Sequence, residues 1–302
     1  MKNHRKRDRL LKNVFLSTSV FLLVLVLVLG SLVFLNWDYI SFKVFLTDRY
    51  LRTEILDDIY KAETGMDPGG NYFKYFDNLS IAAVTKLIRD TGRDNYTYQY
   101  NPVQYTDYKT GREEAAARSE VRELTPDTVY MLLTNFTPES LVFFESSVDE
   151  LKKYGNLILD LRNNGGGDLN AIFRIADYFI DKGSVMVTEY RRHGSADILA
   201  RDAKTLVFDN IVILQNERTA SASEQLIAAL DYNVPGVVTS GTRTYGKYVG
   251  QTRIGLLRGF YVKATTLEWR LPDGTPLENG GMIPDYPYTG ENIVGHVLGV
   301  IL

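Results

Sequence analysis

Residues 157–169, "LILDLRNNGGGDL", join a short apolar run to three consecutive glycines and then to a helix-like sequence. Runs that are apolar throughout are typical of strands buried on both faces of a sheet. Because glycine adopts positive φ without steric cost, residues 165–167 can expose backbone N–H groups to a bound anion or oxyanion. Taken alone, the stretch also fits a tight turn that merely requires glycine. Neither the Gly-Lys-Ser/Thr pattern nor the G-x-G-x-x-G pattern of phosphate loops occurs here.

The same alternation of apolar runs and amphipathic helical segments extends on both sides of this stretch. It predicts an α/β fold with a mostly parallel sheet covered by helices. In such sheets, ligands bind at the carboxyl ends of the strands. The predicted strands are "TVYMLLTNF" (128–136), "NLILDL" (156–161), "VMVTEY" (185–190), "NIVILQ" (210–215) and "GVVTS" (236–240).

A serine-rich stretch, "NERTASASEQL" (216–226), follows one of these strands and precedes helix-like sequence. A serine at the start of a helix has an exposed hydroxyl beside unpaired N–H groups, which is an arrangement that acyl-transfer nucleophiles use. Serine is also one of the favoured helix N-caps, so the stretch alone fits either role. A nucleophile would in addition require a base.

Histidine is poorly placed to be that base. His4 lies in the basic N-terminal segment, His193 in a polar loop, and His296 six residues from the C-terminus, so a Ser-His-Asp triad is not expected. Lysine can replace histidine where burial or neighbouring cations lower its pKa far enough to leave a neutral amine. The candidate is Lys247 in "TYGKYVGQ", for which an ordinary solvated lysine is the alternative interpretation.

The N-terminal part contains an uncharged run of 22 residues, "VFLSTSVFLLVLVLVLGSLVFL" (14–35). As a helix it would span about 33 Å, enough to cross a bilayer. Basic residues precede it, which predicts a cytoplasmic N-terminus and an extracytoplasmic body. A cleaved signal peptide is the alternative, but the run is longer than a typical signal-peptide core and no Ala-x-Ala site follows.

Composition excludes several classes of function. Six of the 34 Lys and Arg residues lie within residues 1–12, so the body is acidic and nucleic acid is not an expected partner. The chain has no cysteine, which excludes thiol nucleophiles, disulfides and thiolate metal sites. No motif for a metal or another cofactor is found. Residues 101–128 are polar and are interpreted as a solvated loop or short helix without chemistry of its own.

Four segments occur together in the order and approximate spacing of one known family. They are "LILDLRNNGGG", "NERTASASEQLIAAL", "TYGKYVGQ" and "LPDGTPLENGGMIPD". Over residues 128–287, and more faintly over 75–100, the chain resembles the carboxyl-terminal processing, or tail-specific, proteases. The resemblance implies a fold related to Clp protease and crotonase, a Ser-Lys dyad, protein or peptide substrates, and no cofactor.

Carried over position by position, the resemblance implies five site residues. Ser221 is the expected nucleophile, Lys247 the general base and Gln251 its orienting partner. The N–H groups of Ala222 and Gly166 are expected to form the oxyanion hole. Losing one such donor typically raises the barrier by about 3 kcal/mol.

The sequence departs from the family pattern at three places. Gly165 stands where the family has a proline, so the glycine loop is less stiff. The interval from Ser221 to Lys247 is one residue longer than usual. Too few residues separate Tyr100 from Thr128 for the PDZ domain of the family, so recognition by a PDZ groove is not inherited.

The combined expectation is a membrane-anchored, extracytoplasmic serine endopeptidase that forms an acyl-enzyme with protein substrates. The expected organisation is a cytoplasmic tail (1–13), a transmembrane anchor (14–35), a helical lead-in (48–100) and a catalytic domain (101–302). Two alternatives stay open: an inactive protein- or peptide-binding member of the same fold, and a crotonase-like acyl-CoA enzyme. The acyl-CoA enzyme would need a cytoplasmic substrate, which the predicted anchor disfavours.

Overall fold

The computed structural model describes residues 2–67, 76, 79–277 and 280–302. The turn-rich sequence at residues 65–78, within the expected helical lead-in, lies mostly outside this range, as do two residues of the fourth family-like segment. Two sheets and their covering helices form the body, and a helical N-terminal part precedes them. The helices of that N-terminal part are α1 (Lys2–Leu35), α2 (Trp37–Arg49), α3 (Thr53–Thr64) and α4 (Ile81–Asp90).

Helix α1 is long and apolar enough over Leu11–Leu35 to cross a membrane, and none of that segment is buried against the body. Only Asn36 separates α1 from α2. The helical hydrogen bonds continue through the junction, since the Asn36 N–H donates to Leu32 O at 3.2 Å and the Ile40 N–H to Asn36 O at 3.0 Å. The span therefore leads into the body without an intervening loop.

Helix α2 is packed on the body. Phe42, Phe45 and Leu46 are buried in a small core that also contains residues of α3, α4 and a central strand. The Asp38 carboxylate accepts the Leu257 N–H at 2.5 Å, which ties the start of α2 to a hairpin turn of the body. Helix α2 thus packs together with α3 and α4 against the body.

The larger sheet has six strands in the order β11-β8-β7-β4-β3-β2. All neighbouring pairs are parallel except β2 with β3. The mostly parallel sheet predicted from the sequence is therefore confirmed for its centre. Its strands are β2 (Glu120–Thr125), β3 (Thr128–Leu132), β4 (Asn156–Asp160), β7 (Asn210–Gln215), β8 (Val237–Gly241) and β11 (Tyr286–Pro287).

Both faces of this sheet are covered, as its apolar strands require. Alternate residues such as Leu157 and Leu159 pack against helices on one face, whereas Ile158 faces the C-terminal helix on the other. The apolar C-terminal segment therefore docks on the body. The covering helices are α6 (Pro138–Leu151), α7 (Leu169–Asp177) and α8 (Ala222–Asn233) on one face and α9 (Ile293–Val300) on the other.

The smaller sheet has five strands and is antiparallel throughout. The strand predicted at 185–190 belongs here and not to the parallel sheet, because it forms a hairpin with the next strand and pairs with β10. This sheet was not expected from the sequence. Its strands are β1 (Tyr98–Tyr100), β5 (Val185–Arg191), β6 (Gly194–Leu199), β9 (Val249–Gly255) and β10 (Tyr261–Arg270), with a short 3-10 turn, Leu257–Gly259, between β9 and β10.

Residues 101–128 fold as helix α5 (Pro102–Ala116) followed by strand β2. Asn101 and Gln104 form a reciprocal capping box, with Pro102 at the first helical position. Near its end α5 is fixed to the loop after β3, because Asn135 Nδ2 donates to Arg112 O at 2.5 Å. The segment is therefore an ordered part of the body.

Candidate active site

Ser221 stands at the turn between β7 and α8 with φ 60° and ψ −117°. Positive φ is uncommon for a residue with a Cβ, and such strain often marks a functional position. The turn is held against the glycine loop after β4, since Asn164 O accepts the Ala220 N–H at 3.0 Å and the Ser223 hydroxyl at 2.8 Å. The strained serine and the glycine loop therefore form one bonded unit.

Glu224 joins the loop of the serine to the loop of the lysine. Its buried carboxylate accepts the N–H groups of Ser221 at 2.7 Å and Lys247 at 2.8 Å on Oε2. On Oε1 it accepts the Gly246 N–H at 2.7 Å and the Thr244 hydroxyl at 2.6 Å. Four donors to one buried carboxylate compensate for the cost of removing it from water. The sequence analysis did not identify this role of Glu224.

Lys247 precedes β9 and points its ammonium group into the protein. Its Nζ donates to Gln251 Oε1 at 2.9 Å and lies 4.7 Å from the centre of the Tyr96 ring. Its carbonyl accepts from the buried indole N–H of Trp269 at 3.0 Å. Burial, assisted by the charge of Lys263, lowers the pKa of Lys247 to about 8. A substantial fraction of this lysine is therefore neutral near pH 8.

Ser221, Lys247, Gln251 and Gly166 line one cavity of about 360 Å³. Ala222, the fifth residue carried over from the family, is buried directly after Ser221 at the first position of α8. The five positions thus lie close together, although Ser221 follows a strand of the larger sheet and Lys247 precedes a strand of the smaller sheet. The cavity is completed by Tyr108, Gly111, Arg112, Ala115, Asn135, Gly165, Gly167, Leu169, Gly250, Arg253 and Lys263.

The glycine loop differs in one respect from the expected oxyanion hole. Gly166 has φ 92°, and a Cβ there would come within 2.6 Å of Ala220 O and 2.8 Å of Ala222 N. However, its N–H donates to Asn164 Oδ1 at 2.9 Å and is not free. Within the described part of the chain, the N–H groups of Ala222, Gly165 and Gly167 have no hydrogen-bond partner.

Helix α5 contributes to the cavity through Tyr108, Gly111, Arg112 and Ala115. The short helix that was one of the two interpretations of residues 101–128 is present, but part of it lines the cavity and is not simply solvated. A polar helix looks the same in sequence whether its polar face meets water or a cavity. Lys263 and Arg253 were also missed, although Arg253 lies two residues after Gln251 and therefore on the same face of β9.

Comparison with known proteins agrees with these motifs. The model of peptidase family S41 matches residues 127–288, which is more than half of the chain. The chain belongs to peptidase family S41. The matched residues of this S41 member include two sides of the cavity: the side formed by the parallel sheet and the side formed by strands β9 and β10.

Named relatives of this S41 member include two curated proteins. A chloroplastic C-terminal processing peptidase of Tetradesmus obliquus is 32% identical over 203 residues, covering 66% of this chain and 43% of that protein. A CtpA-like serine protease of Staphylococcus aureus is 41% identical over 140 residues, covering 45% of this chain and 27% of that protein. The chain thus matches less than half of the length of these relatives.

A solved structure supports the fold over a larger part of the S41 member. A lipoprotein from Streptococcus agalactiae superimposes with a TM-score of 0.60 and covers 84% of this chain and 91% of that one. At 17% sequence identity, this likeness concerns the fold alone.

Proposed function

We propose that this S41 member is a serine peptidase in which Ser221 is the nucleophile and Lys247 the general base. One observation carries the proposal: a serine in a strained turn shares a cavity with a partly buried lysine of lowered pKa. Gln251 accepts one N–H of Lys247, which leaves the lone pair of the neutral amine available to the serine hydroxyl. The substrates are proteins or peptides, and no cofactor takes part.

The reaction follows from these groups. Ser221 Oγ attacks the scissile carbonyl carbon while its proton passes to neutral Lys247 Nζ. The resulting oxyanion accepts hydrogen bonds from the Ala222 N–H and from a second N–H in the glycine loop. Lys247 then protonates the leaving amine as the C–N bond breaks, which leaves an acyl-enzyme. Water attacks this ester, Lys247 takes the proton of the water and returns it to Ser221, and the acid product leaves.

The second oxyanion donor depends on the Asn164 side chain. The Gly166 N–H carried over from the family can serve only if its bond to Asn164 Oδ1 opens or is shared when substrate binds. The Gly165 and Gly167 N–H groups lie beside it without a partner in the described residues. We assign the donor to this three-glycine loop, with Gly166 as the position expected from the family.

Labelling with a fluorophosphonate, together with cleavage of casein, tests the assignment in the full-length protein. The native chain should acylate and cleave, whereas Ser221→Ala should do neither and Lys247→Ala should lose turnover by a factor of about 1000 or more. Ser146→Ala is the matched control, because Ser146 is exposed on α6 and far from the motif in sequence. Wild-type activity in either dyad variant would refute the dyad, and a native chain that never acylates would favour the inactive binding protein.

We further propose that α1 anchors the peptidase in a membrane, with the N-terminus in the cytoplasm and the cavity outside. The support is the length and apolar composition of Leu11–Leu35, together with the basic residues before it. Substrates would then be extracytoplasmic proteins or peptides.

A further inference from the structure

Three cationic side chains surround one tyrosine ring in the cavity of Ser221. The guanidinium carbons of Arg112 and Arg253 lie 5.6 and 5.9 Å from the centre of the Tyr108 ring, and Lys263 Nζ lies 5.7 Å from it. They come from three separate elements: Arg112 from α5, Arg253 from β9 and Lys263 from β10. All three line the cavity.

These cations form no salt bridge in the described part of the chain, although the exposed Glu139 carboxylate is close enough to be affected by the charge of Arg112. Among residues 2–67, 76, 79–277 and 280–302, no carboxylate forms an ion pair with Arg112, Arg253 or Lys263. Arg253 and Lys263 are directly opposite each other in the β9–β10 pairing, an arrangement of like charges that is unfavourable in a sheet. Burial, and then the charges of Arg253 and Arg112, lower the pKa of Lys263 to about 8. An anion between these groups would relieve the repulsion.

The cluster lies beside the reacting groups. The Arg112 guanidinium donates to Phe136 O, and a Cβ on Gly167 would overlap both that carbonyl and the guanidinium. Arg112 is thus packed against the glycine loop that we assign to the oxyanion hole. On the other side, the charge of Lys263 contributes to the lowered pKa of Lys247. A peptide in the cavity would therefore contact the cluster close to its scissile bond.

We propose that Arg112, Arg253 and Lys263 form a subsite that binds a carboxylate of the substrate peptide near the scissile bond. The inference rests on the proposed peptidase function and names the class of substrate. Guanidinium groups bind carboxylates through paired N–H donors, and the tyrosine ring holds the three cations without neutralising them. The carboxylate can come from the C-terminus of the peptide or from an Asp or Glu side chain.

Binding to the Ser221→Ala protein tests the subsite without turnover. The probes are fluorescein-labelled Ala-Ala-Leu-Ala-Ala peptides with either a free C-terminal carboxylate or a C-terminal amide. A third and a fourth probe carry the C-terminal amide and have Asp or Asn as the penultimate residue. Fluorescence anisotropy should give about tenfold tighter binding for at least one carboxylate peptide than for its amide counterpart. The first pair reports the C-terminal carboxylate and the second pair the side-chain carboxylate.

Substitution of the cations shows whether they cause the preference. Adding Arg253→Met or Lys263→Met should bring the carboxylate-to-amide ratio close to one, and Arg253→Lys should retain part of it. The control is Lys152→Met, because Lys152 is a cation at the C-cap of α6, outside the cavity, and should leave the ratio unchanged. Circular dichroism identifies variants that fail to fold, and Arg253→Met is the least disruptive because Arg253 is exposed.

Equal affinity within both peptide pairs would overturn the subsite, as would a preference that survives both methionine substitutions in folded protein. The failure of the proposed peptidase is recognised separately. In that case the protein with Ser221 intact would neither acylate nor cleave, while Ser221→Ala would still prefer the carboxylate peptides.

Discussion

At the scale of single residues, the site depends on two unusual states that support each other. Ser221 has a backbone conformation that few residues with a Cβ adopt, and the partly buried ammonium group of Lys247 donates to the uncharged Gln251 and to no carboxylate among the described residues. Glu224 accepts the backbone N–H groups of both residues and so fixes the distance between their loops. The charge of Glu224 is thus used on the backbone, while Gln251 supplies the uncharged partner of the Lys247 side chain.

The protonation of Lys247 predicts the pH dependence of catalysis. Because only the neutral amine accepts the proton of Ser221, kcat/KM should rise as the pH increases through about 8. In Lys263→Met the rise should occur at higher pH, since one cation that lowers the pKa of Lys247 is removed. Initial rates on an amidated peptide between about pH 6 and pH 10 measure both profiles. A profile that is flat over this range would contradict the assignment of Lys247 as base.

Removing the charge of Glu224 should uncouple the two loops. Glu224→Gln replaces an acceptor oxygen by an NH₂ group facing backbone N–H donors, so we expect a loss of about 2 kcal/mol in stability and loss of fluorophosphonate labelling. Glu217→Gln is the matched control, because Glu217 is an exposed carboxylate on the loop that precedes Ser221. Thermal unfolding and labelling kinetics measure the two effects, and full labelling of Glu224→Gln would show that the carboxylate does not organise the site.

At the scale of elements, local sequence patterns predicted the strands that form short apolar runs. The apolar strands β3, β4, β7 and β8 are present as predicted. The antiparallel sheet was missed because β10 pairs with β1 and β5, which are far away in sequence. Its partners depend on tertiary packing, and an apolar run of β5 looks the same in either sheet.

The residues of the site also divide into those that local motifs predicted and those that only tertiary packing brings together. Ser221, Lys247 and Gln251 were found because short motifs carry them, and the structure places them on one cavity. Arg112 and Lys263 belong to no such motif, and their proximity exists only after α5 and the β9–β10 hairpin have packed together. Polarity in the sequence of α5 could not distinguish a solvated face from one that lines a cavity.

The docking of helix α9 can be tested by replacing valine with alanine at either of two positions in the helix. Val297 has 0% exposure and packs on the parallel sheet, whereas Val300 on the same helix is 66% exposed. Val297→Ala should lower the free energy of unfolding by about 2 kcal/mol, because it leaves a cavity in a packed interface. Val300→Ala should change it by less than about 0.5 kcal/mol. Thermal unfolding compares the two, and equal effects would show that α9 is not packed as described.

At the scale of the whole molecule, the proposed topology places the two ends of α1 in different compartments. The chain has no cysteine, so single cysteines can report accessibility without a background. We expect Asp149→Cys, at a side chain that is 96% exposed, to react with a membrane-impermeant maleimide on intact cells. Asn3→Cys should react only after the cells are opened. The reverse pattern would show an inverted orientation, and release of both proteins into the soluble fraction would show that α1 is not an anchor.

The junction at Asn36 has a mechanical consequence for such an anchored enzyme. Because α1 leads directly into α2, and α2 is buried in the body through Phe42, Phe45 and Leu46, the proposed anchor would hold the cavity of Ser221 without a flexible linker. The distance between the cavity and the lipid surface would then be set by the fold. Substrate segments at that distance from the bilayer would be cleaved. Substrate segments closer to the bilayer or further from it would not be cleaved, whatever their sequence.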